Sequence, residues 1–89
     1  MKTKVENMTS ENGNKIANQF IIRDENGSVF FQSYNYIIVK QQNDNIFLDK
    51  VYWDYSKTTG KYRNIFLGET KKEIEKKIKS GEYILTDLN

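Results

Sequence analysis

The chain has 89 residues, of which 37% are hydrophobic and 29% charged, and its formal net charge is +2. This length suits one domain, and the apolar share suffices for a core, so wholesale disorder is not expected. The chain holds no His and no Cys. That removes the usual general base, the thiolate nucleophile, the common zinc ligands and any disulfide. We therefore predict that the protein is not an enzyme and uses no metal and no cofactor.

No apolar run approaches the roughly 18 residues that a membrane span needs. Residues 1–15 also lack the apolar block of a secretory signal. We therefore expect a cytoplasmic protein of a bacterial host cell, without a membrane partner. Because residues 1–15 are polar and show no periodicity, we predict a flexible tail there and a single α+β domain over 16–89.

Short apolar runs separated by turn residues predict four strands in an antiparallel meander. Asn26-Gly27 is typical of a hairpin turn, because both residues tolerate positive φ. The predicted strands cover 18–24, 28–33, 36–41 and 45–51.

Two short helices are predicted after the strands. Asp54 or Ser56 can cap the first helix, and Gly68 suits its C-terminal end. Thr70 and Glu73 form a capping-box pattern for a second helix over 70–80. A last strand over 82–88 completes an α+β fold of order ββββααβ, with a four- to five-stranded antiparallel sheet.

The stretch Thr-Thr-Gly-Lys, residues 58–61, resembles the end of a phosphate-binding loop. That motif needs Gly, four further residues and then Gly-Lys-Ser/Thr. Here Tyr55 occupies the position of the first Gly, and Tyr62 follows Lys61. Both defining features are missing, so the stretch is interpreted as the start of a helix.

Helical periodicity divides the first helix into two sides. The side predicted to face the core holds Thr58, Tyr62, Ile65 and Phe66. The outer side holds Lys57, Lys61 and Asn64, with Gly60 nearby. Gly60 is either a tolerated cost of up to about 1 kcal/mol relative to Ala or a point of close approach for a partner. The second interpretation makes Lys57, Gly60, Lys61 and Asn64 a candidate partner-binding surface.

The last third of the chain is basic. Residues 56–79 hold eight Lys or Arg and three Asp or Glu, a net charge of +5. Such a surface is either simply solvated or makes weak, non-specific nucleic-acid contacts. The candidate nucleic-acid-binding residues are Lys57, Lys61, Arg63, Lys72, Lys76 and Lys79.

Both faces of the predicted strands carry large apolar groups. Phe30, Gln32 and Tyr34 alternate with Val29, Phe31 and Ser33. Two short helices can cover one face of a sheet only. The other face is either covered by the tail or the last strand, or left open as a site for a partner or a second copy. Phe30, Gln32 and Tyr34 are therefore further candidate partner-binding residues.

Three runs of the sequence resemble a family of short uncharacterised proteins that phages, plasmids and other mobile elements of low-GC Gram-positive bacteria encode. They are FFQSYNYIIV, WDYSKTTGKYRNIFLGET and KKIKSGEYILTDLN, and the resemblance covers roughly residues 12–89. The resemblance carries over no activity and no site residue. It implies a setting in which small accessory genes often encode inhibitors of bacterial defence systems, including anti-CRISPR proteins.

Two functional hypotheses follow. The first is a non-enzymatic accessory protein that inhibits a bacterial defence system by stoichiometric binding to a host defence protein or protein–nucleic acid complex. The second is a nucleic-acid-binding accessory protein that uses its basic helical face. A homodimer is compatible with either hypothesis.

Overall fold

Within residues 3–89, five strands precede two helices, and a sixth strand follows them. The computed structural model describes residues 3–89. The strands are β1 (Lys4–Thr9), β2 (Lys15–Arg23), β3 (Val29–Ser33), β4 (Tyr36–Gln42), β5 (Asn45–Asp49) and β6 (Tyr83–Thr86), and the helices are α1 (Lys57–Leu67) and α2 (Lys71–Ser80).

All six strands form one sheet in the order β1-β2-β3-β4-β5-β6. The first five pair antiparallel, whereas β6 pairs parallel with β5. The parallel pair arises because the two helices carry the chain back before β6 begins, as a crossover connection must. The α+β class and the helices after the main strands are confirmed. The sheet has one strand more than predicted and is not wholly antiparallel.

The expected flexible tail is wrong for residues 4–9, which form strand β1. This strand pairs with β2, for example through Val5 opposite Ile22. Its sequence shows no alternating hydrophobicity, because β1 is a mostly exposed edge strand. A register shift between Asn7 and Thr9 also interrupts its pairing with β2. The part of the predicted tail at residues 1–2 lies outside the described residues.

The helix ends follow the predicted capping residues. The Ser56 side chain accepts a hydrogen bond from the Thr59 backbone N–H, and Gly68 ends α1 in the left-handed conformation at φ 69°. Thr70 and Glu73 form a complete capping box at the start of α2. The stretch 58–61 lies inside the first turns of α1, which agrees with its interpretation as a helix start.

The core lies between the helices and one face of the sheet. It is built on the fully buried Phe31, Val39 and Leu48 of the sheet and Ile74 of α2. The rings of Phe31 and Phe66 stack with their centroids 5.7 Å apart. A buried hydrogen bond of 2.8 Å between the hydroxyls of Ser33 and Thr59 also joins β3 to α1. These contacts place both helices on the side of the sheet towards which Phe31 and Ser33 point.

Helix α1 is rotated by about one residue from the predicted orientation. Thr59, Gly60 and Arg63 are buried, whereas Ile65 is 58% exposed. Tyr62 and Phe66 pack against the core as expected. The rotation places the long Arg63 side chain in the interior, where its guanidinium group meets hydrogen-bond acceptors. A hydrophobicity pattern does not reveal such acceptors.

Candidate protein-binding surface

A line of mainly apolar side chains crosses all six strands. In the sheet register, Val5 lies opposite Ile22, and Ile22 lies opposite Phe30. Lys40 continues the line on β4 between Phe30 and Phe47. The complete line runs Val5, Ile22, Phe30, Lys40, Phe47 and Ile84. Directly opposed residues share a face of a sheet, so these six side chains lie side by side on one face.

This face points away from the helices. Phe31 and Ser33 point towards α1, and successive residues of a strand point to opposite faces. Phe30 and Gln32 therefore point to the uncovered side. A second register line, from Phe20 through Gln32 to Ile37, lies beside the first. We call this surface the open face; it comprises Val5, Phe20, Ile22, Phe30, Gln32, Ile37, Lys40, Phe47 and Ile84.

No element of the described chain forms a layer over the open face. None of its apolar residues belongs to the buried core or packs against it. Val5 is 62% and Ile84 44% exposed, and the others are half-buried only. The smallest dimension of the fold is 20 Å, which fits a sheet with a helical layer on one side. This contiguous apolar surface is a candidate interaction site.

Strands β1 and β6 extend the sheet at its two edges instead of covering its second face. The segment after β6 is held at the ends of β4 and β5. The Leu88 backbone N–H donates to the Asp49 carboxylate at 2.8 Å, and the Asn89 side chain exchanges two hydrogen bonds with the Ile37 backbone. This segment therefore passes the end of β5 to reach β4. The register line from Val5 to Ile84 remains uncovered.

Lys40 is the one charged side chain of the open face. Its Nζ lies 5.8 Å from the centroid of the Phe30 ring, close to the limit for a cation–π contact. No carboxylate of the described residues forms an ion pair with it. A carboxylate supplied by another molecule would find this ammonium group within an apolar surrounding, where charge attraction is stronger than in water.

Asp49, at the end of β5, does not serve as a counter-ion for Lys40. Its carboxylate is 1% exposed and accepts hydrogen bonds from the backbone N–H groups of Val51, Tyr52 and Leu88. Burial tends to raise the pKa of Asp49, but these hydrogen bonds outweigh it and hold the pKa below its ordinary value. The charge of Asp49 is therefore used to fix the loop after β5 and the C-terminal segment.

Tyr34 lies at the tip of the β3–β4 hairpin, at one end of the open face. Its backbone has φ +58°, a left-handed conformation that L residues with side chains rarely adopt. The side chain of Gln32 donates to the Tyr34 carbonyl at 2.8 Å. Tyr34 nevertheless remains 41% exposed. The positive φ belongs to the two-residue hairpin loop that the pairing of Ser33 with Tyr36 leaves.

The predicted outer position of Gly60 is wrong. Gly60 is buried on the side of α1 that faces Asp54 and Arg63. Asn64 is half-buried, because its side-chain oxygen accepts from the Arg63 guanidinium at 2.9 Å. Of the four residues proposed for this helical surface, only Lys57 and Lys61 are exposed.

Arg63 is likewise no nucleic-acid contact. Its side chain is 1% exposed and donates to the Trp53 carbonyl at 2.7 Å and to the Asp54 carboxylate at 2.9 Å. Asp54 also forms an ion pair with Lys71 at 2.7 Å. Burial tends to raise the pKa of Asp54, but the hydrogen bonds and charges of Lys71 and Arg63 outweigh it and lower the pKa. Asp54 thus joins the loop before α1 to both helices through Arg63 and Lys71, and Arg63 has a structural role.

The other five predicted basic residues are solvent-exposed on the helical side. None forms an ion pair within residues 3–89. They are Lys57, Lys61, Lys72, Lys76 and Lys79. The structure thus separates the candidates, with Phe30 and Gln32 on the open face and these lysines on the opposite side of the sheet.

Sequence reasoning missed most of the open face. Phe20, Ile22, Lys40 and Phe47 were not singled out, although each belongs to a predicted strand. Each of them alternates with core residues along its strand, and this period of two indicates that they lie on the face opposite the core. Aligning them across strands required the register, and β3 and β4 change register between Phe31 and Gln32.

The fold and this surface define a small two-layer α+β domain with one uncovered sheet face. The chain belongs to the family of unknown function DUF8033, whose model matches residues 3–82. Neither the curated proteins nor the solved structures contain a match. Within residues 3–89, neither helix is long and apolar enough to cross a membrane.

Proposed function

We propose that the protein is a non-enzymatic accessory protein of a phage or mobile element. It acts by stoichiometric binding to a host protein and inhibits a bacterial defence system, such as a CRISPR effector. The observation that supports this proposal is the uncovered apolar line from Val5 to Ile84. The choice of defence systems rests on the resemblance of the sequence to mobile-element proteins.

The open face suits a protein partner of particular chemistry. Its three phenylalanines are already half-buried, so each can add only part of the roughly 1.5–3 kcal/mol that full burial of such a side chain provides. Buried aromatic residues are typical hot spots of protein interfaces. Lys40 within this apolar surface favours a partner that offers a carboxylate at the corresponding position. The expected counterpart is therefore an apolar ridge or helix that carries one Asp or Glu.

An immunity assay tests the proposal. Bacteria with an active CRISPR system and a matching phage are given the parent chain, and phage plating is counted. We expect the parent to restore plating, and Phe30→Ser with Phe47→Ser to abolish the rescue because both rings leave the interface. Ile65→Ser is the matched control, since Ile65 is an exposed apolar residue on the helical side. The control should rescue as well as the parent.

Two results would count against the proposal. If the parent protects phages against none of a panel of defence systems, defence inhibition is wrong. If the double variant folds and rescues plating as well as the parent, the open face is not the binding surface. Circular dichroism and urea unfolding of each purified variant establish whether it is folded.

Nucleic-acid binding is the alternative function. It is supported by the five exposed lysines of the helical side, which have no acidic partners within the described residues. Phosphate contacts through lysine predict an affinity that falls steeply with salt and shows little sequence preference. Fluorescence titration with labelled single- and double-stranded DNA at low salt tests it. Lys57→Glu with Lys61→Glu should weaken such binding, whereas the open-face variants should leave it unchanged.

A further inference from the structure

We propose that a second copy of the chain covers the open face in the absence of a host partner. The two copies pack sheet to sheet as a weak symmetric dimer. The two-fold axis runs parallel to the strands and passes between β3 and β4. The inference concerns the free protein and does not depend on the identity of the host target.

The order of side chains along the first register line carries this inference. Each end of the line is aliphatic, with Val5 on β1 and Ile84 on β6. The next positions inwards, Ile22 and Phe47, are large and apolar. A two-fold axis parallel to the strands reverses the line. It places Val5 of one copy over Ile84 of the other, and Ile22 over Phe47.

The same operation pairs the two central positions. Phe30 of one copy faces Lys40 of the other, and the pairing occurs twice because the interface is isologous. Within one chain Lys40 already lies near the Phe30 ring. In the dimer the ammonium group also faces the ring of the other copy, a favourable arrangement for a cation and an aromatic face.

A two-fold axis along the register line gives another face-to-face arrangement. It would place each residue of the line over its own counterpart, so Lys40 would face Lys40 and Phe30 would face Phe30. With sheets about 10 Å apart and strands about 4.8 Å apart, the two Lys40 positions lie roughly 10 Å apart in that arrangement and roughly 11 Å apart in the proposed one, so charge repulsion does not distinguish them. The axis parallel to the strands is favoured because it brings each ammonium group over an aromatic ring of the other copy.

The available area indicates a weak dimer. Six strands at a spacing of about 4.8 Å, each contributing about five residues of 3.3 Å, give a face of about 29 by 17 Å, or roughly 500 Å². Two copies would bury roughly 1,000 Å², which meets the lower bound for a specific interface but lies below the usual 1,600 Å². The dimer should therefore dissociate at low concentration and leave the face free for a tighter partner.

Lys40 sets the balance between the two occupants. In the dimer two ammonium groups lose water near the axis, and desolvation of a charge is costly. Lys40→Met keeps a long side chain and loses both this cost and the cation–π contact. Because the desolvation of a charge costs more than a cation–π contact returns, the change should tighten self-association. The same change should weaken binding to a host partner that supplies a carboxylate. Lys40→Met should therefore strengthen binding of a second copy and weaken binding of a host partner.

Sedimentation equilibrium over a range from micromolar to millimolar concentrations tests for the dimer. The parent should change reversibly from monomer to dimer within this range. We expect Lys40→Met to raise the association constant, and Phe47→Ser to lower it at least about tenfold, because a buried ring is lost. Ile65→Ser should behave as the parent does. A parent that stays monomeric throughout would overturn the proposal, as would an association constant that Phe47→Ser leaves unchanged.

Cross-linking tests the axis. The chain contains no cysteine, so Val5→Cys and Ile84→Cys each introduce a single thiol on the open face. Packed sheets lie about 10 Å apart, whereas two Val5 positions related by the proposed axis lie about five strand spacings apart. A short bis-maleimide should therefore link the mixture of the two variants and neither variant alone. Linkage of Val5→Cys to itself, or no linkage in a mixture that sedimentation shows to be dimeric, would overturn the proposed axis.

The dimer proposal and the proposed defence inhibition are contradicted by different results. A monomeric parent that rescues phage plating contradicts the dimer alone. A dimeric parent that rescues plating in no defence system contradicts the proposed function alone.

Discussion

The Arg63 guanidinium lies 2.9 Å from the Asp54 carboxylate and 5.0 Å from the centroid of the Trp53 ring. Arg63 is almost wholly buried, yet its donors meet a carbonyl, a carboxylate and an amide oxygen. A buried charge is tolerated when it is paired and hydrogen-bonded in this way. The pair explains why α1 presents a cationic residue, rather than an apolar one, to the protein interior.

Removal of the Arg63 charge should destabilise the fold. Arg63→Met leaves the Asp54 carboxylate without one of its two cations and the Trp53 carbonyl without its donor. Asp54 is partly exposed and keeps its ion pair with Lys71, so the loss should be smaller than the roughly 3–5 kcal/mol of a fully buried pair. We expect a loss of about 1–3 kcal/mol in the free energy of unfolding, from the hydrogen bonds that Arg63 no longer makes. Urea denaturation measures it, with Lys57→Met on the exposed side of α1 as control. A loss for Arg63→Met no larger than that of the control would contradict this role.

The lowered pKa of Asp54 predicts an acid-dependent stability. A carboxyl group whose folded-state pKa lies below its unfolded value stabilises the fold above the unfolded pKa, and this stability is lost as pH falls through the folded value. The loss from Asp54 should therefore occur below about pH 4. The Asp54→Asn variant should be less stable at neutral pH and lose less on acidification. It should retain some acid sensitivity, because the pKa values of Asp49 and Glu73 are also lowered. The free energy of unfolding of parent and variant should be measured at several pH values. If it falls by the same amount in both proteins on acidification, the assignment to Asp54 is contradicted.

Gly60→Ala should stabilise the protein. An added Cβ would lie 3.5 Å from the Asp54 carboxylate and 3.6 Å from the Arg63 guanidinium, both ordinary contact distances. Because Ala favours a helix interior over Gly, a gain of up to about 1 kcal/mol is expected. Gly68→Ala is the contrasting variant, since Gly68 has φ +69° and a side chain there is strained. Thermal unfolding should move upwards for the first variant and downwards for the second. A destabilised Gly60→Ala would show that the methyl group disturbs the Arg63 hydrogen bonds.

Tyr34 offers a case in which stability and binding should change in opposite directions. Asn tolerates the left-handed conformation better than Tyr, so Tyr34→Asn should gain stability, by up to about 1 kcal/mol. If the exposed ring contacts the host partner, the same variant should lose activity in the immunity assay. Tyr34→Phe keeps the ring and the strain, and should resemble the parent in stability. A Tyr34→Asn protein that is more stable and fully active would show that the ring has no part in binding.

The sequence predicted those elements whose signals are local. Ser56, Thr70 and Gly68 act within a single turn of chain, and the structure confirms their capping roles. Strands β2 to β5 were predicted because apolar residues alternate between turn residues. β1 was missed, since Val5 is largely exposed and most of its neighbours are polar.

The candidate site depended on relationships that local patterns do not contain. Phe30 was predicted as a contact residue because both faces of β3 are apolar. Its alignment with Lys40 and Phe47 follows from the register of three strands, which no single segment specifies. The interior position of Gly60 follows from the burial of Arg63, which a hydrophobicity pattern assigns to the surface.

Site-specific photo-cross-linking in host cells tests most directly whether the open face is the binding surface. Benzoylphenylalanine replaces Phe47 in one variant and Ile65, on the helical side, in another, and both are irradiated during defence challenge. We predict that the Phe47 variant forms a discrete adduct with a host protein, in addition to a cross-linked second copy, and that the Ile65 variant forms neither. Host-protein adducts from the Ile65 variant, with none from a folded Phe47 variant, would contradict the assignment of binding to the open face.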